Sequence, residues 1–255
     1  AAKYLDSVTG IEAIQDYKRR SHRLLHPTQG DRILDVGCGM GDDVLTLAER
    51  VGPEGEVVGI DKSRSLIAEA RERAGETNVA SFQVGDAAQL PFADNEFDAC
   101  RADRVFQHLD DPRGALTEMC RVTRPGGRIT VSEPNWETCS VNASGVDPNI
   151  TKEVTDARWV SSLNPAIGSR LYVLFREVGL TGVETDPLTV VFTDFETANE
   201  VLSLEERIER MQAAGVLSAT RAEKWIAEMC RADRDEMFFC SITGFIVAGS
   251  VPEML

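Results

Sequence analysis

The stretch RILDVGCGMGDD, Arg32 to Asp43, limits what this chain can fold into more than any other. An apolar run meets glycines at 37, 39 and 41, and DDVLTLAERV follows with apolar residues at 44, 45, 47, 48 and 51. That spacing is one face of a helix. A strand, a glycine turn and a helix in succession bring backbone N–H groups and a helix N-terminus against a ligand. Such a loop usually holds a nucleotide-like ligand.

The rest of the chain repeats the rhythm. GEVVGID, VASFQVGD, FDACRAD and RITVSEPN read as further strands, alternating with helices in SRSLIAEARERA, capped by Ser63, and PRGALTEMCRVT. Such alternation predicts βαβ units and a parallel sheet with right-handed crossovers. A helix over residues 10–26 precedes the sheet. Residues 136–168 lose the period and are expected to fold over the ligand edge. SRLYVLFREVGL restores a helix, TGVETDPLTVVFTDF reads as a strand interrupted by Pro187, two helices are expected near 196–214 and 218–234, and MFFCSITGFIVAGSV closes the chain as a strand.

The ligand can be narrowed. A dinucleotide fingerprint needs a third glycine three residues after the second, and Asp42 stands there, followed by Asp43. Two carboxylates at a helix N-terminus repel a pyrophosphate and tolerate a ligand without phosphate. Asp61, ending the second strand in VVGIDKS, is placed to accept from ribose hydroxyls. Together these favour an adenosine-like ligand lacking phosphate and speak against a dehydrogenase.

Here the order of motifs decides. ILDVGCGMG, Asp61, VGDAAQLPFADNEFDAC, RVFQHLDDP and EMCRVTRPGGRITVSEPN, over residues 30–135, resemble the class I S-adenosylmethionine-dependent methyltransferases. The nearest subgroup is the ubiquinone/menaquinone-biosynthesis type and its small-molecule relatives. The resemblance implies an α/β fold, a Rossmann-like seven-stranded sheet with helices on both faces and the last strand antiparallel. It implies S-adenosyl-L-methionine as cofactor and a single domain over 1–255: an N-terminal helical lid (1–30), a cofactor-binding core (31–135) and substrate-covering insertions (136–170 and 196–234).

It also implies residue roles. The backbone of Gly37 and Gly39 would lie against the methionine part, Asp35 would attract its ammonium, and Arg101 would offer its backbone carbonyl there. Asp61 would take the ribose hydroxyls. Asp86 would accept from the adenine amino group, with the Ala87 N–H on the ring and the Lys62 stem beside it. Asp35 and Asp86 read equally well, taken singly, as turn or cap residues.

Methyl transfer is an in-line displacement in which the protein mainly positions and excludes water. A base is needed only where the nucleophile must shed a proton. His108, in RVFQHLDDP, is the first candidate, with a loop-bracing role as the alternative. Glu133, in VSEPNW, is expected at the same rim as a second base or a holder of a substrate amine. Arg104 and Gln107 share the His108 loop. Tyr4 and Tyr17 are candidates for the lid, His22 and His26 read as surface or packing residues, and Trp136 and Trp159 as an apolar wall. Trp159, Leu163, Ile167, Leu171, Leu202, Ile208, Met211 and Trp225 favour a hydrophobic or aromatic acceptor.

Composition bears on partners and surroundings. With 42 acidic and 27 basic residues the net charge is −15, and no basic stripe suits a nucleic acid. The D/N/S-Pro-Pro-aromatic signature of DNA-methylating relatives is absent after the fourth strand, where RADR stands. No run nears the roughly 18 apolar residues of a membrane span, and the N-terminus carries no signal-peptide pattern. The six cysteines form no CxxC pair and no metal spacing with His. The expectation is a cytoplasmic enzyme with a small-molecule acceptor and no metal, membrane or nucleic-acid partner. A homodimer is compatible with the sequence. A binder of the cofactor that does not methylate, and a protein-modifying methyltransferase, stay open as alternatives.

Overall fold

The computed structural model describes residues 12–253. Strands β1 (Arg32–Val36), β2 (Glu56–Asp61), β3 (Ala80–Val84), β4 (Phe97–Asp103), β5 (Thr123–Ala143), β6 (Thr181–Phe192) and β7 (Phe238–Ser250) form one sheet in the order β3-β2-β1-β4-β5-β7-β6. The pairs among β3, β2, β1, β4 and β5 are parallel, whereas β7 runs antiparallel to both β5 and β6. This is the seven-stranded Rossmann-like arrangement expected. β1 lies inside the sheet, and Ile33, Leu34, Asp35 and Val36 are all buried, as strands covered on both faces require.

Helices α1 (Glu12–Leu25), α2 (Asp42–Val51) and α3 (Arg64–Ala74) lie on one face; Leu25, Val44, Leu47 and Ile67 pack with Ile33 and Val57. Helices α4 (Pro112–Val122) and α6 (Ile167–Glu177) cover the other, where Leu116, Met119, Leu171 and Phe175 meet Leu34, Cys100 and Val131. Ser63 caps α3, its hydroxyl accepting from the Leu66 N–H at 3.4 Å. Asp111 caps α4, with Pro112 in the first turn, where a missing N–H costs nothing. Tyr4 and the rest of the lid before Glu12 lie outside the described residues. Among the described residues no helix is long and apolar enough to cross a membrane.

Three expectations are corrected beyond residue 135. β5 does not stop at Asn135: after an irregularity between Asn135 and Ser140 it pairs with β7 out to Ala143. The first part of the expected insertion is therefore sheet, and only α5 (Pro148–Val154) and a 3-10 turn at Ala157–Trp159 follow. β6 runs unbroken through Pro187, because it pairs only with β7 and an edge strand tolerates a missing N–H. The two late helices are three: α7 (Phe195–Leu202), α8 (Leu204–Ala213) and α9 (Ala219–Arg234), with Ser203 left-handed (φ 52°) at the first break.

These three helices bury a separate core. Trp225, Ile208, Met211 and Leu204 pack there with Phe195, Phe238 and Ile150. Trp225, fully buried and hydrogen-bonded to the Thr151 hydroxyl at 3.0 Å, is therefore a core residue and not part of an acceptor wall. Ile208 and Met211 are likewise core, Ile167 and Leu171 belong to the core under α6, and Leu163 is 62% exposed.

Candidate active site

A cavity of about 420 Å³ opens at the C-terminal ends of β1, β2 and β4, where open α/β sheets bind ligands. Its wall on one side is the glycine loop, Gly37 to Met40, with Asp61. The loop needs its glycines. Gly41 has φ 87°, and a Cβ there would stand 2.6 Å from the Phe82 ring; Gly37 has φ 71° and is closed over by Val105. Gly41, not the residue after it, thus provides the close approach of helix to sheet. Asp61 holds the loop: one carboxylate oxygen accepts from the Gly39 N–H at 3.1 Å, the other from the Ser63 N–H at 2.8 Å.

The floor is a buried charge network. Asp35 and Arg101 face each other in register on β1 and β4, so their side chains emerge on one face of the sheet. The Arg101 guanidinium is 1% exposed and lies 2.9 Å from Asp35, 3.2 Å from Asp43 and 3.4 Å from Asp103. The side chain of Arg101 is thus the structural hub, which a role for its backbone carbonyl alone does not convey. Asp35, expected to attract an ammonium, already has a cationic partner. Burial nevertheless pushes its carboxyl up to about 7 against the pull of Arg101.

Asp43 is not the bare carboxylate the sequence suggested. Lys18 Nζ lies 2.9 Å and His22 Nε2 3.0 Å from it. Burial alone would raise its carboxyl, but Arg101, His22 and Lys18 hold it well below the usual range. Only Asp42 keeps a half-exposed carboxylate at the helix start, 3.4 Å from Arg73. Of the surface and packing alternatives for His22 the structure has the second: it is buried, and burial lowers it in spite of Asp43. The signal for Lys18 and His22 was their four-residue spacing, which places both on the face of α1 that carries Tyr17 and Ser21. Tyr17 lines the cavity with its hydroxyl buried. Burial, then Asp103 and Glu133, push that phenol well above its ordinary value.

Glu133 is corrected most. It is 0% exposed and does not line the cavity; one carboxylate oxygen accepts from the Phe106 N–H, while the other makes no hydrogen bond. It anchors the 3-10 turn Phe106–His108 from below, where a substrate cannot reach it. Burial, the dominant influence, brings its carboxyl up to about 8. A folded pKa above the unfolded one means stability that is full at low pH and lost as pH rises. Glu133→Gln should therefore gain stability over the wild type steadily from about pH 4.5 to about 8, by at least about 1 kcal/mol, then level off. Urea unfolding of both proteins at pH 5 and pH 8 checks this; a gap independent of pH refutes it.

The turn that Glu133 anchors carries His108, which does line the cavity with Gln107 and Arg104. Burial, then the charge of Lys62, lowers the His108 pKa, favouring neutral imidazole. The turn is strapped from outside: Leu163 and Asn164 N–H donate to the Gln107 carbonyl at 2.9 and 3.0 Å, and Asn164 Nδ2 donates to the Leu109 carbonyl at 2.6 Å. Trp136 Nε1 donates to Gln107 Oε1 at 2.8 Å, joining the turn to the apolar half of the cavity. That half is formed by Trp136, Leu188, Val190, Phe192, Val201 and Ile242. Trp159 does not line it and packs against the core of the late helices.

Three expected adenine-side residues are not gathered into the cavity. Lys62 and Asp86 are exposed, and Ala87 packs against the core under α4. The Asp86 carboxylate accepts from the Ala88 N–H at 2.9 Å, the turn role that its neighbour Gly85 also suggested.

Residues 27–179 match the family model described as a methyltransferase domain. The chain belongs to the methyltransferase-domain family. This methyltransferase is 35% identical over 246 residues to a 37.1 kDa protein in transposon TN4556 of Streptomyces fradiae, covering 96% of this chain and 69% of that one. It is 35% identical over 140 residues to the demethylmenaquinone methyltransferase of Shouchella clausii, covering 54% of this chain and 59% of that one. The fold matches that of the YcgJ protein of Bacillus subtilis with a TM-score of 0.62 at 16% identity, covering 92% of this chain and all (100%) of that one.

As a family member the chain is an S-adenosylmethionine-dependent methyltransferase, and its cavity fits that donor. The donor carries a sulfonium and an ammonium, and the glycine-loop end of the cavity is lined by Asp35, Asp42, Asp43, Asp61 and Asp103 against Lys18, Arg101 and Arg104. Asp103 keeps one buried carboxylate oxygen without a hydrogen bond, with Arg104 Nε 3.6 Å away. A buried acceptor of that kind calls for a donor from the ligand.

Proposed function

We propose that this methyltransferase acts on a small hydrophobic or aromatic metabolite, at O, N or C, in the cytoplasm. One observation carries the reading: a single cavity runs from the glycine loop to an apolar wall around Trp136, so donor and a small acceptor share one enclosed space. The name of the Shouchella relative, a quinone-type methyltransferase, agrees with it. The bound donor supplies an electrophilic methyl on sulfur. The protein's part is to hold Asp61 and the glycine loop for the donor and to keep the acceptor dry against Trp136, Val190 and Phe192. Where the acceptor is a phenol or alcohol, neutral His108 takes its proton. A net charge of −15 keeps nucleic acid away.

The test is a transfer assay with methyl-labelled donor against fractions of cell extract. Label in a low-mass product is expected; label found only on polypeptide would overturn the small-acceptor reading. For the base, His108→Ala should lower turnover about 100-fold with donor affinity nearly unchanged. Equal turnover would assign His108 to bracing the loop.

A further inference from the structure

In the acceptor half of the cavity sits a buried cation that no carboxylate among the described residues answers. Arg207, on α8, is 1% exposed and lines the cavity. Its Nε donates to the Leu202 carbonyl at 3.1 Å and its Nη1 to the Val154 carbonyl at 3.5 Å, so it closes the C-terminal ends of α7 and α5. Nη2 is buried and makes no hydrogen bond. The guanidinium lies 5.2 Å from the centre of the Trp136 ring. No Asp or Glu among the described residues pairs with it. Arg210, one turn on, is already occupied by Glu206 at 2.9 Å and by the Trp159 carbonyl.

Two helix C-termini lessen the cost of this buried charge, since their dipoles favour a cation. They do not supply a counter-ion, and a desolvated guanidinium without one is costly. A group able to oppose it is the Cys139 thiol, drawn down to about 7 by its hydrogen bond with Cys240 and then by Arg207. An arginine fork beside an aromatic face, in a cavity of small-molecule size, is how proteins hold a planar anion on an apolar body.

We propose that Arg207 selects an acceptor bearing an anionic group, a carboxylate or its like, on a hydrophobic or aromatic frame lying along Trp136. The inference rests on the small-acceptor reading above and adds the charge. Trp136 ties this anion end to the other: its ring meets Arg207 and its Nε1 holds Gln107, next to His108. An acceptor fixed at Arg207 would thus present its far end to the His108 turn.

Calorimetric titration of the full chain saturated with S-adenosylhomocysteine tests this with two matched pairs, benzoate against benzamide and 2-naphthoate against 2-naphthamide. The acids should bind roughly ten-fold or more tighter than the amides. Arg207→Gln should abolish that preference while S-adenosylhomocysteine affinity holds, and Arg207→Lys should keep part of it. Equal affinity for acid and amide in the wild type would overturn the inference and leave the small-acceptor reading standing. Neither pair binding, with S-adenosylhomocysteine still bound, would overturn both. Preference surviving in Arg207→Gln would also refute the role of Arg207. Because Arg207 supports two helix ends, the glutamine variant can fail to fold; the wild-type pairs and Arg207→Lys then decide.

Discussion

Asp61→Ala is expected to weaken S-adenosylmethionine binding by two orders of magnitude or more in a calorimetric titration. Both oxygens of this carboxylate are engaged, one with the Gly39 N–H and one with the Ser63 N–H, and each has a further lone pair with which this cavity-lining residue can accept from a ribose hydroxyl. The substitution removes the ligand's acceptor and also unfastens a loop whose Gly39 sits at φ 55°. Hydrogen bonds to a charged group contribute about 1.5–3 kcal/mol each, and 1.4 kcal/mol is tenfold in affinity. Asp61→Asn keeps one acceptor oxygen and should lose about tenfold. Affinity unchanged in the alanine variant would remove Asp61 from the donor site.

That Asp61 was visible in the sequence follows from where it stands. β1 and β2 are buried on both faces and read as apolar runs, so the residue ending β2 is located by counting. FFCSITGFIVAGS likewise reads as the strand β7, while its antiparallel direction comes from the family resemblance. What stayed hidden depends on pairing across the fold. Residues 136–143 mix Trp, Glu, Cys and Ser and become strand because β7 is there to pair with them. Pro187 reads as an interruption because sequence does not tell an edge strand from a central one. Glu133 looked like a rim carboxylate at a strand end, yet the His108 turn folds over it and donates a backbone N–H. Arg207 lay in an ordinary polar helix pattern. Only the left-handed Ser203, where α7 ends and α8 begins, places its guanidinium by Leu202 and inside the cavity. For residues 136–143, Pro187 and Glu133 the deciding partner lies far along the chain; for Arg207 it is a helix break five residues away.

The second large effect belongs to the floor. Arg101→Met should destabilise the protein by about 3–5 kcal/mol at pH 7.5, since deleting one member of a buried ion network strands the others. The stranded groups are Asp35, Asp43 and Asp103, all within 3.4 Å of the guanidinium. Lys18 continues to oppose Asp43 and Arg104 lies 3.6 Å from Asp103, so Asp35 is the most exposed to the loss. The pH dependence separates this cause from simple loss of packing. In the wild type Arg101 acts to lower the Asp35 and Asp43 carboxyls. Without it burial prevails, and folded carboxyls titrating above their unfolded value contribute stability that is lost as pH rises. The deficit of Arg101→Met should therefore be largest near pH 7.5 and shrink toward pH 5 as the carboxyls take up protons. Urea midpoints at the two pH values measure it. Adding Asp35→Leu to Arg101→Met should recover part of the loss at pH 7.5, because it removes a charge that no longer has a partner. A deficit equal at both pH values, or a double variant weaker by the sum of the two single losses, would mean that the methionine fails only in shape and that the floor is not held by charge.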